Sequence, residues 1–228
     1  PNGLQIEGKS QVVRIVSGVT ASQALIEQAI AHDADAILVH HGYFWKGDDP
    51  RITGLLKARV KALMTHEISL IAYHLPLDAH AEFGNNVGLA NKLGLTVTGG
   101  LDGEVGQSIG FVGKLAQPMI AKEFTAHIEA QLNRVPLHIG AASDMIETLA
   151  WCTGAAQSYI DKALAAGVDA YITGEASEQT VHVARESGIH FFAAGHHATE
   201  RYGVQLVGDQ VAQALGLEHH FIDVDNPV

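Results

Sequence analysis

Asp35-Ala36-Ile37-Leu38-Val39-His40-His41-Gly42 is an apolar run of strand length that stops abruptly on two imidazoles and a glycine. It does not alternate apolar with polar, so it reads as a strand buried on both faces, as in a parallel sheet covered by helices. Three later stretches share the form. Ile68–Tyr73 runs into His74-Leu75-Pro76-Leu77-Asp78, Tyr171-Ile172 into Thr173-Gly174-Glu175, and Phe191–Ala194 into Gly195-His196-His197-Ala198-Thr199-Glu200. Helix-length periodic segments separate these runs, among them 21–32, 54–66, 155–166, 175–186 and 198–215. The expected class is α/β, with mainly parallel sheets flanked by helices and at least two βαβ units. Two lobes are expected, residues 1–104 and 105–228, divided near the glycine-rich stretch 99–106. The last part of the second segment is free to pack back on the first lobe. No low-complexity tract, charge block or fixed-period repeat interrupts the pattern.

In open parallel sheets, ligands bind at the carboxyl ends of strands, where these polar clusters fall. On parallel strands, the three histidine groups would converge on one sheet edge. Neighbouring residues of a strand point to opposite sides. His40 and His41 therefore serve one ion together only where the strand has ended and Gly42 turns the backbone. The alternative is one ligand or core residue beside one exposed loop residue. His196 and Glu200, four apart at a helix start, share a helical face and can grip one metal or neighbouring metals. The alternative is a surface pair with Glu favoured near the helix N-terminus. His74 and Asp78 have the same spacing, but Pro76 favours a turn over a helix between them. Asp78 is read as a metal ligand, with His74 supporting it or adding a further contact. Each cluster alone is a weak signal; three at strand ends argue for a shared site.

Composition limits the chemistry. The chain has 228 residues, 47% of them hydrophobic and 17% charged, as expected of a folded globule. Its single cysteine, Cys152, excludes an intrachain disulfide and a thiolate-rich metal site. Fourteen histidines match the fourteen Lys plus Arg, which points toward metal chemistry. The formal charge of −11 argues against nucleic-acid backbone binding. No apolar run approaches the roughly 18 residues needed to cross a bilayer. No secretory leader opens the chain, so a cytoplasmic location is expected, although it begins at Pro1 rather than Met. Nitrogen and oxygen donors without sulfur suit Zn, Mn, Fe, Co or Ni. Five ligands exceed what one catalytic zinc needs, so two divalent ions are expected.

The sequence also resembles the Nif-three-like dinuclear-metal-centre family, whose members carry the label GTP cyclohydrolase I type 2, and looks most like its short bacterial type. The matching pieces are Pro1–Gln5 with Glu7-Gly8, His40-His41-Gly42 with Phe44-Trp45-Lys46, Tyr73–Asp78, Trp151–Ser158, Asp169–Glu175 and Gly195–Glu200, in the family's order along the whole chain. The resemblance implies His40, His41, Asp78, His196 and Glu200 as ligands of two metals, with His74 close by. It further implies two α/β lobes with the site between them at strand ends, and a toroidal homohexamer. His197 stands where a common family form has Tyr, and is not counted as a ligand.

Glu175 is a candidate general base or supporting partner, against the alternative of a helix N-terminal Glu. Lys46 and Arg201 flank ligand motifs and could neutralise a phosphorylated substrate, or be surface charge. The remaining histidines, among them His138, His190 and His219, read as structural or surface residues. The expected function is a dinuclear metal-dependent hydrolase with Glu175 and Glu200 as catalytic residues. A small molecule or nucleotide is its expected substrate, with GTP ring opening at C8 the specific form. The alternatives are a hexameric metal-binding scaffold or regulator, a phosphoesterase, and redox chemistry on iron.

Overall fold

A computed structural model describes residues 2–228. Pro1, the first residue of the opening motif, lies outside the described residues. The strands are β1 (Gly3–Ile6), β2 (Arg14–Thr20), β3 (Ala36–His41), β4 (Ser69–Ala72), β5 (Leu95–Gly100), β6 (Phe111–Ile120), β7 (Leu137–Ile139), β8 (Met145–Trp151), β9 (Ala170–Thr173), β10 (His190–Ala193) and β11 (Glu218–Phe221). The helices are α1 (Gln23–Ala31), α2 (Gly54–Thr65), α3 (Leu75–Ala79), α4 (Asn85–Leu93), α5 (Ala121–Leu132), α6 (Ile160–Ala166), α7 (Glu178–Ser187) and α8 (His196–Leu215).

The chain divides into two compact units, residues 1–77 with 203–225, and residues 78–202 with 226–228. The first holds a five-stranded sheet in the order β1-β4-β3-β2-β11 and the second a six-stranded sheet in the order β5-β6-β8-β9-β10-β7. The four strands that carry the polar clusters therefore fall in two sheets rather than along one edge. In the first unit β11, β2, β3 and β4 run parallel and β1 antiparallel. In the second, β8, β9 and β10 are parallel, while β5, β6 and β7 add antiparallel pairings.

Apolar pattern explains the centre of each sheet. Val16, Ile37, Val39 and Leu70 are fully enclosed in the first core with Leu25, Ile26 and Leu63 from α1 and α2. Trp151, Ile172 and Phe192 meet Phe124 and Ile128 of α5 in the second. Each such side chain contributes about 1.5–3 kcal/mol on burial, so both cores are set by a few enclosed strands.

The two units repeat one motif. β1-β4-β3-β2 and β7-β10-β9-β8 have the same order and directions, with α1 and α2 of the first matching α6 and α7 of the second in chain position. The sequences run in step over this part: Gln23, Ile26, Ala29, Asp35 and Ala36 correspond to Gln157, Ile160, Ala163, Asp169 and Ala170. Even the polar clamp recurs. Asp35 accepts the Val13 and Arg14 amides, and Asp169 those of Glu147 and Thr148, each tying the start of one strand to the next. The sequence shows no fixed-period repeat, and this duplication was not legible in it. The duplicate is hidden because the strand ends diverged, His40-His41 in one copy and Gly174-Glu175 in the other.

Pro76 does not prevent a helix. α3 begins at Leu75 and places Pro76 in its first turn, where an amide hydrogen has no helical partner to lose.

Candidate metal centre

In the first unit, β3 runs through His41, so both histidines lie within the strand and the chain turns one residue later than expected. Their rings still meet at the strand end, with centroids 4.7 Å apart. Opposite neighbours orient them. The Nδ1–H of His40 donates to the Tyr73 carbonyl after β4 (2.9 Å), and Nδ1 of His41 meets Thr20 Oγ1 of β2 (3.0 Å). With its Nδ1 proton donated, His40 has Nε2 as the nitrogen that could hold a metal, the usual arrangement of a metal-binding imidazole. His74 joins them, its amide held by Asn2 Oδ1 (2.8 Å) and its ring edge-on to Trp45. One ligand atom from each of His40, His41 and His74 lies within 4.8 Å of the others. Gly42 serves by its size rather than by a special dihedral. A Cβ there would stand 2.2 Å from Gln5 Oε1, which accepts the Tyr43 amide.

In the second unit, the β8–β9–β10 ladder continues past the strand ends through glycine loops. The Gly174 amide donates to the Gly154 carbonyl (2.8 Å) and the Gly195 amide to the Gly174 carbonyl (2.9 Å). α8 then starts at His196 and puts Glu200 one turn on, with His196 Nε2 3.1 Å from Glu200 Oε2. Behind the ring, His196 Nδ1 meets Glu175 Oε1 at 2.7 Å. Burial alone would depress the His196 pKa, but the Glu200 and Glu175 carboxylates outweigh it and raise it to about 9. The ring therefore sits between two anions, one of them only 3% exposed. Gly154, at φ +70°, is shaped to this pair: a Cβ would lie 2.0 Å from Glu200 Oε1 and 3.2 Å from His196 Nε2.

Asp78 opens the same unit, and one of its oxygens lies within 4.8 Å of one from Glu200. Asn85 Nδ2 donates to Asp78 Oδ1 (2.8 Å), as does Thr153 Oγ1 (3.2 Å). Asn86 donates to the Asp78 and Ile109 carbonyls and accepts the Thr153 amide. Thr199 Oγ1 accepts the Gly154 amide (3.0 Å). These supporting residues were not singled out in the sequence. The tandem Asn85-Asn86 at a helix start, enclosed by an apolar pattern, is the signal that would have marked them.

The donor set fits a divalent ion: imidazole nitrogens and carboxylate oxygens, grouped within metal-ligand reach and shaped by small residues. Cys152 takes no part. Burial pushes its thiol well above the usual range, with the Asp78 and Glu200 carboxylates adding to the rise, and its Sγ–H donates to the Ile109 carbonyl. Arg201 donates to the Leu132 carbonyl, and Lys46 is exposed. The His197 amide donates to the Val228 carbonyl.

Fold and donor set together define an α/β protein of two units that each carry candidate metal donors, and comparison with known proteins gives its kinship. The family model Duf34/NIF3 (NGG1p interacting factor 3) matches residues 1–227, and the chain belongs to this family. A Pseudomonas aeruginosa protein named GTP cyclohydrolase 1 type 2 homolog is 59% identical over 227 residues, covering 100% of this chain and 90% of its own length. A Vibrio cholerae protein of the same name is 53% identical, with 100% and 91% covered. The solved structure of the protein ybgI superposes with a TM-score of 0.95 at 50% identity, covering 100% of this chain and 91% of that one. A Thermus thermophilus structure, TTHA1606, gives 0.90 at 32% identity, with 100% and 90% covered.

Proposed function

We propose that this chain is a metal-dependent hydrolase in which His40, His41, Asp78, His196 and Glu200 ligate a pair of divalent ions, with His74 alongside. The observation that carries this reading is the pairing of buried carboxylates with imidazoles whose far nitrogens are already engaged, as at His40 and His196. Such an arrangement orients ligands rather than stabilising a core, since unneutralised buried charge is costly. When bound, such ions act as Lewis acids and bring the pKa of water toward neutrality. The chain's own groups then hold protons and positions. Glu175 accepts from His196 Nδ1 and keeps the ring in one tautomer, and it is placed to take up a proton from that ring. Glu200, enclosed and beside His196, would help hold an ion there and keeps the His196 ring in place.

The names of the relatives favour GTP as substrate, with hydrolytic opening of the purine at C8 and release of formate. The decisive test loads the protein with Zn, Mn or Fe in separate samples, adds GTP and follows formate by mass spectrometry, with His196→Ala in parallel. Turnover that vanishes in His196→Ala is the expected result. No turnover in protein that carries its ions would overturn the cyclohydrolase reading and leave the phosphoesterase and the metal-binding scaffold as the readings to pursue. The protein is further proposed to act as a homohexamer, and light scattering should give six times the 24.2 kDa chain mass. A monomer would contradict it. Among the described residues no helix is long and apolar enough to cross a membrane.

A further inference from the structure

We infer that Asn85 and Thr153 are positioning residues that hold Asp78 in one orientation for an ion; the inference rests on the ligand role proposed for Asp78. Asp78 is 5% exposed, Thr153 5% and Asn85 0%, so three polar side chains are enclosed together. Burying them is unfavourable unless each finds a partner, and an apolar trio would fill the space at less cost. What the polar trio achieves is orientation. Asn85 Nδ2 and Thr153 Oγ1 both donate to the same oxygen, Oδ1, at 2.8 and 3.2 Å. Two donors on one oxygen fix the rotation of the carboxylate as well as its position. Both donors are neutral, so these two bonds aim the carboxylate without themselves neutralising it. An arginine or lysine there would hold the group as firmly but cancel its charge.

The surroundings make the clamp rigid. Asn85 is the first residue of α4, and its neighbour Asn86, also fully enclosed, accepts Trp151 Nε1–H on its carbonyl and the Thr153 amide on Oδ1. The two donors thus come from different elements, α4 and the end of β8, joined through one asparagine. The carboxylate sits at the end of α3, where the chain begins its second unit. A purely structural role would require only that the trio be satisfied internally. Two donors from separate elements converging on one carboxylate are what a ligand needs from its supports.

The test measures Zn2+ binding to metal-free protein by calorimetry, and the visible spectrum of the Co2+ form, for wild type, Asn85→Ala, Thr153→Val and Thr153→Ser. Asn85→Ala and Thr153→Val should each weaken one Zn2+ site by roughly tenfold to a hundredfold, as for other supports of metal ligands. Both should alter the Co2+ bands, and Thr153→Ser, which keeps the hydroxyl, should restore both readouts. Thr153→Val preserves shape and decides the matter if Asn85→Ala does not fold. Wild-type affinity and spectrum in the variants, whatever their thermal midpoints, would overturn the inference and leave the metal reading intact. A wild-type protein that takes up neither ion would overturn both.

Discussion

Asp35 shows how one residue's chemistry reaches stability. Its carboxylate is 5% exposed and accepts two backbone amides, with Lys9 against its other oxygen. Burial pushes its pKa up, but the Lys9 ammonium and the Val13 and Arg14 amides outweigh that and hold it below the ordinary value. A carboxylate with a depressed folded pKa stabilises the fold fully above its unfolded pKa, near 3.9. That contribution is lost as pH falls through the lower folded value. Asp35→Ala should cost about 1–3 kcal/mol at pH 7, the usual penalty for orphaning buried donors. In urea unfolding, the gap between wild type and variant should narrow below pH 4. An equal gap at pH 7 and pH 3 would contradict this. At the same scale the candidate ligands were legible in the sequence as residues, because imidazoles and carboxylates at strand ends are rare enough to notice. Their supports were not, since Asn85, Asn86 and Thr153 are ordinary residues whose meaning lies in what they touch.

At the scale of elements, α8 carries a second polar network, enclosed at Ser17 and open to solvent at Asp209, apart from the candidate centre. Ser17 Oγ of β2 meets His219 Nε2 at 2.7 Å, and His219 Nδ1 meets Asp209 Oδ1 at 2.7 Å. The order Ser–His–Asp has the look of a nucleophilic triad, but Ser17 is fully enclosed and no substrate reaches it. The network instead ties α8 to β2 and β11. Gly208 of α8 makes room, since a Cβ there would stand 2.2 Å from His219 Nε2. Helix propensity alone would have Gly208→Ala stabilise by about 1 kcal/mol. Overpacking against a ring held from both sides costs about 1–3 kcal/mol, so the thermal midpoint should fall. His219→Ala should also lower it, and the double variant should lose less than the sum of the two. A higher midpoint for Gly208→Ala would refute this packing. The elements themselves were readable where apolar runs are enclosed on both faces, as in β3, β9 and β10. β1, four residues at a sheet edge, and β5, which ends in Gly99-Gly100, carry too little apolar signal to stand out. α3 was hidden by reading Pro76 as a breaker rather than as a residue of a helix's first turn.

For the whole molecule, the duplicated β-α-β-α-β core makes sense of where the candidate ligands lie. In both units polar clusters lie at the ends of corresponding strands, β3 with β9 and β4 with β10, which puts His40-His41 and Glu175, and His74 and His196, at like places in the two copies. The sequence displayed the clusters without their correspondence, because the apolar residues that carry the repeat are interchangeable and few polar pairs, such as Gln23 with Gln157 and Asp35 with Asp169, mark it. The central claim is that these residues hold metal. The most direct measurement is the metal content of untagged protein by mass spectrometry, for wild type, His40→Ala and Glu200→Gln. Two divalent ions per chain in wild type, with a loss in each variant, is the predicted result. A metal-free wild type, or variants with undiminished content, would contradict the account.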